Sequence, residues 1–439
     1  MDRLKMAHVS AALIPILCLL ASACMEVPLL ADLEDLVNPP AGDPPISWAK
    51  TMGGLVDEDV KACAATSDGG FLIAGSTATY SNGLKDAWAI KVDEQGSSVW
   101  EYSFGGAQDE EFVACGESGD GYMFAGWTKS AGAGGSDLLA VRLGPDGSLV
   151  WQKTYGLTND EAIYPGSAAI SRSGGAIFGG MTLSTAIFSG DYLIVRINDT
   201  GAITYQHYWE DRQYGEKILK LLEAGDGTLL IQKATSNLSA DWAYIQRTTS
   251  NFGVFAKSAS LQMENCCFCS DGGVLTIRKS LLGANLRFVR YDANLAATGS
   301  DVTIGSPDWE VPVAVTQASD GGFLAMSFIL VAGKSYDILL LRLDASLGLR
   351  WMRSYGGTLS DLPVSAAEAE DGGFLVVGTT TSWGGGGKDV WLLRIDAAGN
   401  PISTIRPDEP DSEDGEPEVI TATPSDITTS YDGSPELIA

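Results

Sequence analysis

Between residues 46 and 405, hydrophobic and polar positions follow a pattern that recurs seven times along the chain. Each copy holds four short hydrophobic segments, such as Phe71 to Ser76 and Ala87 to Val92, which turns rich in Gly and Asp separate. Short apolar segments between tight turns are typical of β-strands. Four strands in roughly 50 residues form one blade of a β-propeller, and seven such units close readily into a ring. The pattern therefore predicts an all-β, seven-bladed propeller of four-stranded blades.

Three landmarks identify the seven copies. The first is the glycine of a turn that reads DGG or a close variant, and the second is an Asp that begins an apolar strand. The third is an aromatic residue fourteen positions after that Asp, as Trp100 is after Asp86. The turn glycines are Gly69, Gly121, Gly174, Gly227, Gly272, Gly321 and Gly372. The strand-initiating positions are Asp86, Asp137, Asp191, Asp241, Asn285, Asp337 and Asp389, and the fifth copy is the most divergent.

The two ends of the repeat region predict how the ring closes. The aromatic landmark of the seventh copy is missing, because Ser403 stands at its position. Trp48 has the sequence context of an outer strand, but no blade precedes it. We therefore expect the segment from Ile46 to Met52 to complete the seventh blade.

Residues 1–23 are predicted to be a signal peptide, since Arg3 and Lys5 precede an apolar run and a small-residue cleavage site. The tetrad that ends in Cys24 resembles a bacterial lipobox, which implies lipidation of Cys24 and a lipidated tether over residues 24–45. Met25, rather than Asp, implies an outer-membrane or cell-surface lipoprotein of the cell envelope. Ordinary cleavage after Ala23 would instead give a secreted protein.

Charge narrows the range of partners. The formal net charge is −28, and a field of that size repels phosphate backbones and anionic membrane surfaces. We therefore expect no nucleic acid partner, membrane contact through the lipid anchor only, and a monomer. Residues 406–439 carry ten acids against one base, together with five Pro, and are predicted to be an acidic disordered tail.

Basic residues recur five positions after the landmark Asp, inside apolar strands: Lys91, Arg142, Arg196, Arg290, Arg342 and Arg394. Acids recur eleven positions before the turn glycine, at Glu58, Glu110, Glu216, Glu310 and Asp361. Because an unpaired buried charge is costly, we predict that these two sets form one acid–base pair at each blade interface. Their recurrence favours a structural role, since a catalytic acid needs one asymmetric environment.

The turn and strand motifs resemble a family of secreted and lipidated bacterial proteins built from seven-bladed β-propeller repeats. The segments that carry the likeness are Tyr355-Gly356-Gly357, Asp371-Gly372-Gly373-Phe374, Gly378-Thr379-Thr380 and Asp389. The resemblance implies the fold, and members of the family mostly lack an assigned activity. Asp93-x-x-Gly96-x-x-x-Trp100 is also similar to the tryptophan-docking motif of quinoprotein-like propellers, which include an outer-membrane assembly lipoprotein.

The residues favour neither a cofactor nor a metal. The landmark Asp residues could ring a calcium ion, but no copy has the D-x-D-x-D-G spacing of a calcium loop. Cys266-Cys267-Phe268-Cys269 contains a C-x-x-C, yet His207 is the only histidine of the mature chain, so zinc is not expected. Disulfides among these three cysteines, or between Cys63 and Cys115, remain open. With no G-x-S-x-G elbow or triad spacing, we predict a protein that is not an enzyme.

Function is expected where the blades differ. The longer loops and the divergent fourth blade supply six candidate binding residues: Tyr80, Phe188, Trp209, Arg212, Tyr336 and Trp383. Aromatic residues on polar loops suit peptide or glycan contacts, although such residues can also merely cover blade edges. The sequence thus predicts a non-catalytic cell-envelope lipoprotein that is a propeller scaffold for an envelope protein or a glycan. The alternatives are an enzyme acting on glycans with carboxylates near the central channel, and an outer-membrane assembly-type lipoprotein.

Overall fold

A computed structural model describes residues 48–156, 160–182, 191–209, 215–237, 240–248, 254–258, 265–280, 285–305, 309–330, 335–400 and 418–420. The chain divides into two units, residues 1–45 and 46–439, and only the second contains described residues. The regular structure within the described ranges is entirely β-strand, which confirms the predicted class. The signal peptide, the tether and most of the acidic tail lie outside the described residues, so these predictions stay predictions.

The first four blades follow one another along the chain. Blade one contains β2 (Glu58–Ala65), β3 (Phe71–Thr77), β4 (Asp86–Val92) and β5 (Ser98–Phe104). Blade two contains β6 (Glu110–Ser118), β7 (Gly121–Thr128), β8 (Asp137–Leu143) and β9 (Leu149–Tyr155). Blade three contains β10 (Glu161–Ile170), β11 (Ala176–Thr182), β12 (Asp191–Ile197) and β13 (Ile203–Trp209). Blade four contains β14 (Gly215–Glu223), β15 (Leu229–Asn237), β16 (Ala240–Thr248) and β17 (Val254–Ser258).

The remaining blades complete the ring. Blade five contains β18 (Asn265–Phe268), β19 (Val274–Lys279), β20 (Leu286–Tyr291) and β21 (Ala297–Ile304). Blade six contains β22 (Trp309–Gln317), β23 (Phe323–Leu330), β24 (Tyr336–Leu343) and β25 (Leu349–Tyr355). Blade seven contains β26 (Asp361–Glu368), β27 (Phe374–Thr380), β28 (Asp389–Ile395) and β1 (Trp48–Met52). A three-residue strand of the tail, β29 (Glu418–Ile420), pairs in parallel with β5.

Closure of the ring joins the two ends of the repeat region. β1 lies antiparallel to β28, in a register that pairs Trp48 with Arg394 and Met52 with Val390. The blade therefore takes one strand from the start of the repeat region and three strands from its end. This pairing confirms the predicted closure by the N-terminal strand.

The hydrophobic core lies between neighbouring blades. The second and third strands of a blade, such as β27 and β28, are buried along their whole length because both faces meet apolar residues. Between blades seven and one, Leu375 and Leu392 pack with Ile73 and Trp88. Each strand pair is thus held by its own sheet and by the side chains of the next sheet.

The aromatic landmark of each outer strand fastens one blade to the next. The indole Nε1 of Trp48 donates to the carbonyl of Glu94 at 2.9 Å, and Trp151 donates to Asp199 of the following blade at 2.9 Å. Trp351 donates to Ala397 at 3.1 Å in the same way. The acceptors lie in the turn that follows the third strand, and the last residue of that turn has a positive φ. Those residues are Gly96, Gly147, Gly201, Leu295, Leu347 and Gly399 in the described copies.

Candidate functional site

The propeller has two unlike faces. The connections from the second to the third strand, and from the outer strand to the next blade, emerge on one side, which we call the long-loop face. The turns from the first to the second strand and from the third to the outer strand emerge on the opposite side, the short-turn face. The first and third strands of a blade run in the same direction, so their first residues lie at the long-loop face and their last residues at the short-turn face.

At the short-turn face, the repeated basic residue pairs with the Asp that precedes the turn glycine of its own blade. The pairs are Lys91–Asp68 at 3.0 Å, Arg142–Asp120 at 2.9 Å, Arg290–Asp271 at 2.6 Å, Arg342–Asp320 at 2.6 Å and Arg394–Asp371 at 2.6 Å. Blade three has Ser173 at that position, and Arg196 reaches Glu223 of the next blade at 2.9 Å instead. The predicted pairing with Glu58 and its equivalents is wrong. Those acids begin the inner strand, at the opposite face from the end of the third strand.

At the long-loop face, the other two sets of repeated acids meet each other. A Cβ on Gly105 would collide with both Asp86 Oδ1 of blade one and Glu110 Oε2 of blade two, so the two oxygens converge on this glycine. Asp389 and Glu58 converge in the same way on Gly53. Asp137 and Glu161 converge likewise on Gly156, so each of these three buried pairs spans a blade junction. We call these the junction carboxyl pairs.

The hydrogen bonds around the junction carboxyl pair Asp86–Glu110 fall mostly on the Glu and leave one oxygen of the Asp without a partner. Glu110 Oε1 accepts the Thr128 hydroxyl at 2.9 Å and the Ser130 amide at 3.0 Å, and its Oε2 accepts the Gly106 amide at 2.8 Å. Asp86 Oδ2 accepts one amide, whereas Oδ1 is buried with no hydrogen-bond partner. Burial, with the nearby Glu110 charge, raises the pKa of Asp86 to about 6. A proton on Asp86 Oδ1 would let this oxygen donate a hydrogen bond to the converging Glu110 Oε2.

The repeat itself contains a neutral version of this pair. In blade five the landmark Asp is replaced by Asn285, which approaches Gly305 as Asp86 approaches Gly105. The amide of Asn has the shape of a protonated carboxyl group and donates a hydrogen bond without carrying charge. The substitution is therefore consistent with a neutral group at this position in the other blades.

The inner strands surround a central channel of about 1040 Å³. A β-bulge interrupts the pairing of inner strands in several blades, for example between Val60 and Ala62 and between Phe112 and Ala114. At its long-loop mouth, Asp59 Oδ2 accepts Lys85 Nζ at 3.0 Å, and Lys61 pairs with Glu111 at 3.3 Å. These acids near the channel are thus held in ion pairs.

The five cysteines in the part of the chain that the structure describes are buried or half-buried. Cys63, Cys115, Cys266, Cys267 and Cys269 are free thiols. Burial raises the pKa of Cys63 and of Cys267 to about 12, so both stay protonated at neutral pH. Within the described ranges, no three His, Cys, Asp or Glu side chains are grouped so that they could hold a metal ion.

The six predicted binding residues do not form one site. Tyr80 is half-buried, 6.4 Å from Trp88 between ring centroids, and Trp383 is half-buried, 5.0 Å from Trp391. Tyr336 is exposed at the long-loop face. Phe188, Arg212 and the side chain of Trp209 lie outside the described residues, as does Cys24. The role of all these residues in binding or lipidation stays a prediction.

Blade six presents an exposed apolar surface. Of its residues, only Tyr336 is among the six predicted binding residues. Trp309 pairs with Leu330, and Leu330 pairs with Tyr336 on the next strand, so their side chains project from the same side of the sheet. Their exposed fractions are 57%, 44% and 38%. Lys279 Nζ of blade five lies 5.1 Å from the Trp309 ring centroid. We call Trp309, Leu330 and Tyr336 the blade-six apolar cluster.

Equivalent positions in blades one, two and seven are polar or small. The corresponding triplets are Asp57, Ala78 and Lys85 in blade one, Asp109, Lys129 and Ser136 in blade two, and Ser360, Thr381 and Lys388 in blade seven. The propeller fold therefore does not require apolar residues at this place. A comparison of the residue just before each repeated acid would have identified Trp309 from the sequence.

No family model and no curated protein sequence matches the chain. The fold is similar to that of a Dyadobacter fermentans protein of unknown function, with 14% identity over 80% of this chain and 99% of that one and a TM-score of 0.45. The WD40 domain of Neurospora crassa Pan2 is 10% identical over 77% and 97% of the two chains, with a TM-score of 0.46. Hydrazine synthase of Kuenenia stuttgartiensis is 12% identical over 74% and 94%, with a TM-score of 0.46.

These likenesses concern the fold alone, and the propeller assignment rests on the strand order described above. The resemblance to the lipidated propeller family stays a prediction from motifs. No helix among the described residues has the length and the apolar character that crossing a membrane requires.

Proposed function

We propose that this protein is a non-catalytic binding module of the cell envelope, tethered by a lipid on Cys24, that docks a protein partner on the blade-six apolar cluster. The observation that carries the proposal is the contrast between blade six and its equivalents. The features that recur from blade to blade stabilise the ring. The side chains of Trp309, Leu330 and Tyr336 are instead exposed to solvent, and the ring does not need them. Exposed aromatic residues in a contiguous apolar patch are typical of interaction sites.

The chemistry of the surroundings favours a protein over a glycan. Leu359, in the adjoining connection to blade seven, is 53% exposed, and Leu330 is 44% exposed. Aliphatic side chains gain from contact with apolar side chains of a peptide, but they offer no hydrogen bond to sugar hydroxyls. Lys279, above the Trp309 ring, supplies a positive charge at the rim. The fitting partner is an apolar protein segment with an acidic residue at its edge.

Replacing Trp309 and Tyr336 together by Ala is expected to remove the envelope protein that binds the full-length chain. Loss of two central aromatic contacts weakens an interface by about 2–4 kcal/mol, which corresponds to at least thirtyfold in Kd. The measurement is affinity purification from detergent-solubilised envelopes, followed by surface plasmon resonance with the purified partner.

The matched control for that test is the double replacement of Val99 and Val150 by Ala. Both valines are similarly exposed, at 58% and 59%, but lie on outer strands away from the long-loop face. The control should retain the partner at the affinity of the original protein. The proposal would be contradicted if both double variants retained the protein partner equally. It would also be contradicted if a glycan were recovered that either variant still binds.

The lipid anchor has its own test. Cys24→Ser is expected to move the exported protein from the detergent phase to the aqueous phase in a Triton X-114 partition, because the thioether that would carry the lipid cannot form. Cys18→Ser, within the predicted signal peptide, is the matched control and should leave the partition unchanged. Detergent partition that persists in Cys24→Ser would exclude lipidation at this residue.

A further inference from the structure

A second cavity opens at the short-turn end of the channel, away from the blade-six apolar cluster. Its volume is about 800 Å³. Arg172 from a turn of blade three and Lys220 from the inner strand of blade four line it, and Cys266 and Cys267 of blade five line the same space. Lys220 also lines the central channel, so the cavity continues into it.

The acids around this cavity are already engaged. Glu223 pairs with Arg196 at 2.9 Å and accepts the Arg172 backbone amide at 3.0 Å. Asp271 accepts two hydrogen bonds from Arg290, at 2.6 and 2.7 Å, and one from the Gly273 amide at 2.8 Å. Asp226 accepts the Thr228 amide of its own turn and takes part in a further interaction. These three acids that line the cavity thus already have partners within the protein.

The two basic side chains are not engaged in this way. Among the described residues, the Arg172 guanidinium and the Lys220 ammonium form no hydrogen bond and no ion pair. The chain contains 56 acids against 28 bases, so two unpaired bases in one cavity contrast with the molecule as a whole. Burial raises the pKa of the Cys266 thiol to about 11, so no thiolate balances the Lys220 charge at neutral pH.

We propose that this cavity binds a small organic acid, whose carboxylate lies between Lys220 and Arg172 and whose apolar part packs against the inner strands. Leu222, Val315 and the two buried thiols supply the apolar wall. Ammonium and guanidinium groups form charge-assisted hydrogen bonds with carboxylates, and each such bond contributes about 1.5–3 kcal/mol. The partner of this site is thus a small molecule, distinct from the protein partner of the long-loop face.

The test uses hexanoate as the probe and hexanamide as its uncharged counterpart, titrated into the full chain by isothermal calorimetry at low ionic strength. Hexanoate should bind at least tenfold more tightly than hexanamide. Lys220→Gln and Arg172→Gln should each remove most of that preference. Arg172 is exposed, so its variant also tests the proposal if Lys220→Gln fails to fold.

Lys153→Gln is the matched control, because Lys153 lies on the outer strand of blade two and donates to the Thr200 carbonyl at 2.7 Å. It should leave the hexanoate affinity unchanged. Equal binding of hexanoate and hexanamide, absence of binding by both, or an unchanged preference in both glutamine variants would overturn the proposal. None of these outcomes bears on the partner of the blade-six apolar cluster, which is tested separately.

Discussion

Asp371→Asn is expected to lower the free energy of unfolding by about 3 kcal/mol, because it leaves the buried Arg394 without a counter-charge. Arg394 has no exposed surface, and its Nη2 donates to Asp371 Oδ1 at 2.6 Å. Asparagine keeps an oxygen that can accept the Gly373 amide, as Asp371 does at 2.9 Å, so the turn is preserved. The measurement is urea unfolding followed by tryptophan fluorescence.

The matched control is Asp396→Asn. Asp396 accepts two turn amides, from Ala398 at 2.9 Å and from Asn400 at 2.7 Å, but it has no buried cation beside it. Its replacement should cost less than about 1 kcal/mol. The double variant Asp371→Asn with Arg394→Met should recover more than half of the loss, since an apolar side chain needs no counter-charge. Equal losses in the two single variants would show that the ion pair contributes nothing beyond the turn.

The double variant Asp86→Asn with Asp389→Asn is expected to be more stable than the original protein at pH 8. Burial, followed by the charge of the facing Glu, raises the pKa of both Asp residues to about 6, above the ordinary value of 3.8. The folded state therefore holds these protons more tightly than the unfolded chain does. That stabilisation is complete below about pH 4 and is lost as the pH rises through 6.

An amide reproduces the neutral carboxyl group at every pH, so the expected gain at pH 8 is about 2 kcal/mol per junction. At pH 5 about half of this difference should remain, and below about pH 4 it should vanish. The comparison needs unfolding free energies of both proteins between pH 4 and 8, with Asp93→Asn, in the half-buried turn that follows β4, as control. The charged groups facing these residues are Glu110 at Asp86, and Glu58 and Asp57 at Asp389.

Two outcomes would contradict the prediction for the double variant Asp86→Asn with Asp389→Asn. A double variant that is less stable than the original protein at pH 8 would show that the Asp residues are needed in their ionised form. Calcium that stabilised the original protein and not the variant would identify a cation, rather than a proton, between the carboxyl groups. Either result would refute the shared-proton interpretation of the junction carboxyl pairs.

The repeat made the fold predictable, because spacing is a property of sequence alone. Seven glycine turns and the isolated outer strand at Trp48 were sufficient to predict seven blades and their closure. The partners of the repeated charges were not predictable from spacing alone. Arg342 and Glu310 recur with the same regularity, yet one ends the third strand and the other begins the inner strand. Pairing depends on which end of a strand a residue occupies. The partner of Arg342 is Asp320, whose place in the turn motif explains its recurrence without any ion pair.

The candidate site was predictable only in part, for a different physical reason. Tyr80 and Trp383 are aromatic residues in long connections, as Tyr336 is, and sequence alone does not distinguish a ring that folds back onto the core from one that faces solvent. The rings of Tyr80 and Trp383 meet buried tryptophans, whereas Tyr336 stands beside Trp309 and Leu330 at an edge. Cross-strand register, which the sequence does not display, decides between these outcomes.

The pairing of β1 with β28 can form only late in folding. β1 is synthesised and exported before any blade, yet its partner strand emerges last, so the contact from Trp48 to Arg394 spans almost the whole repeat region. Contacts so distant in sequence form slowly. Until they form, β1 and the outer edge of blade seven both expose unpaired backbone groups, which attract other chains. The interval between export and ring closure is therefore when a chaperone would protect this protein most.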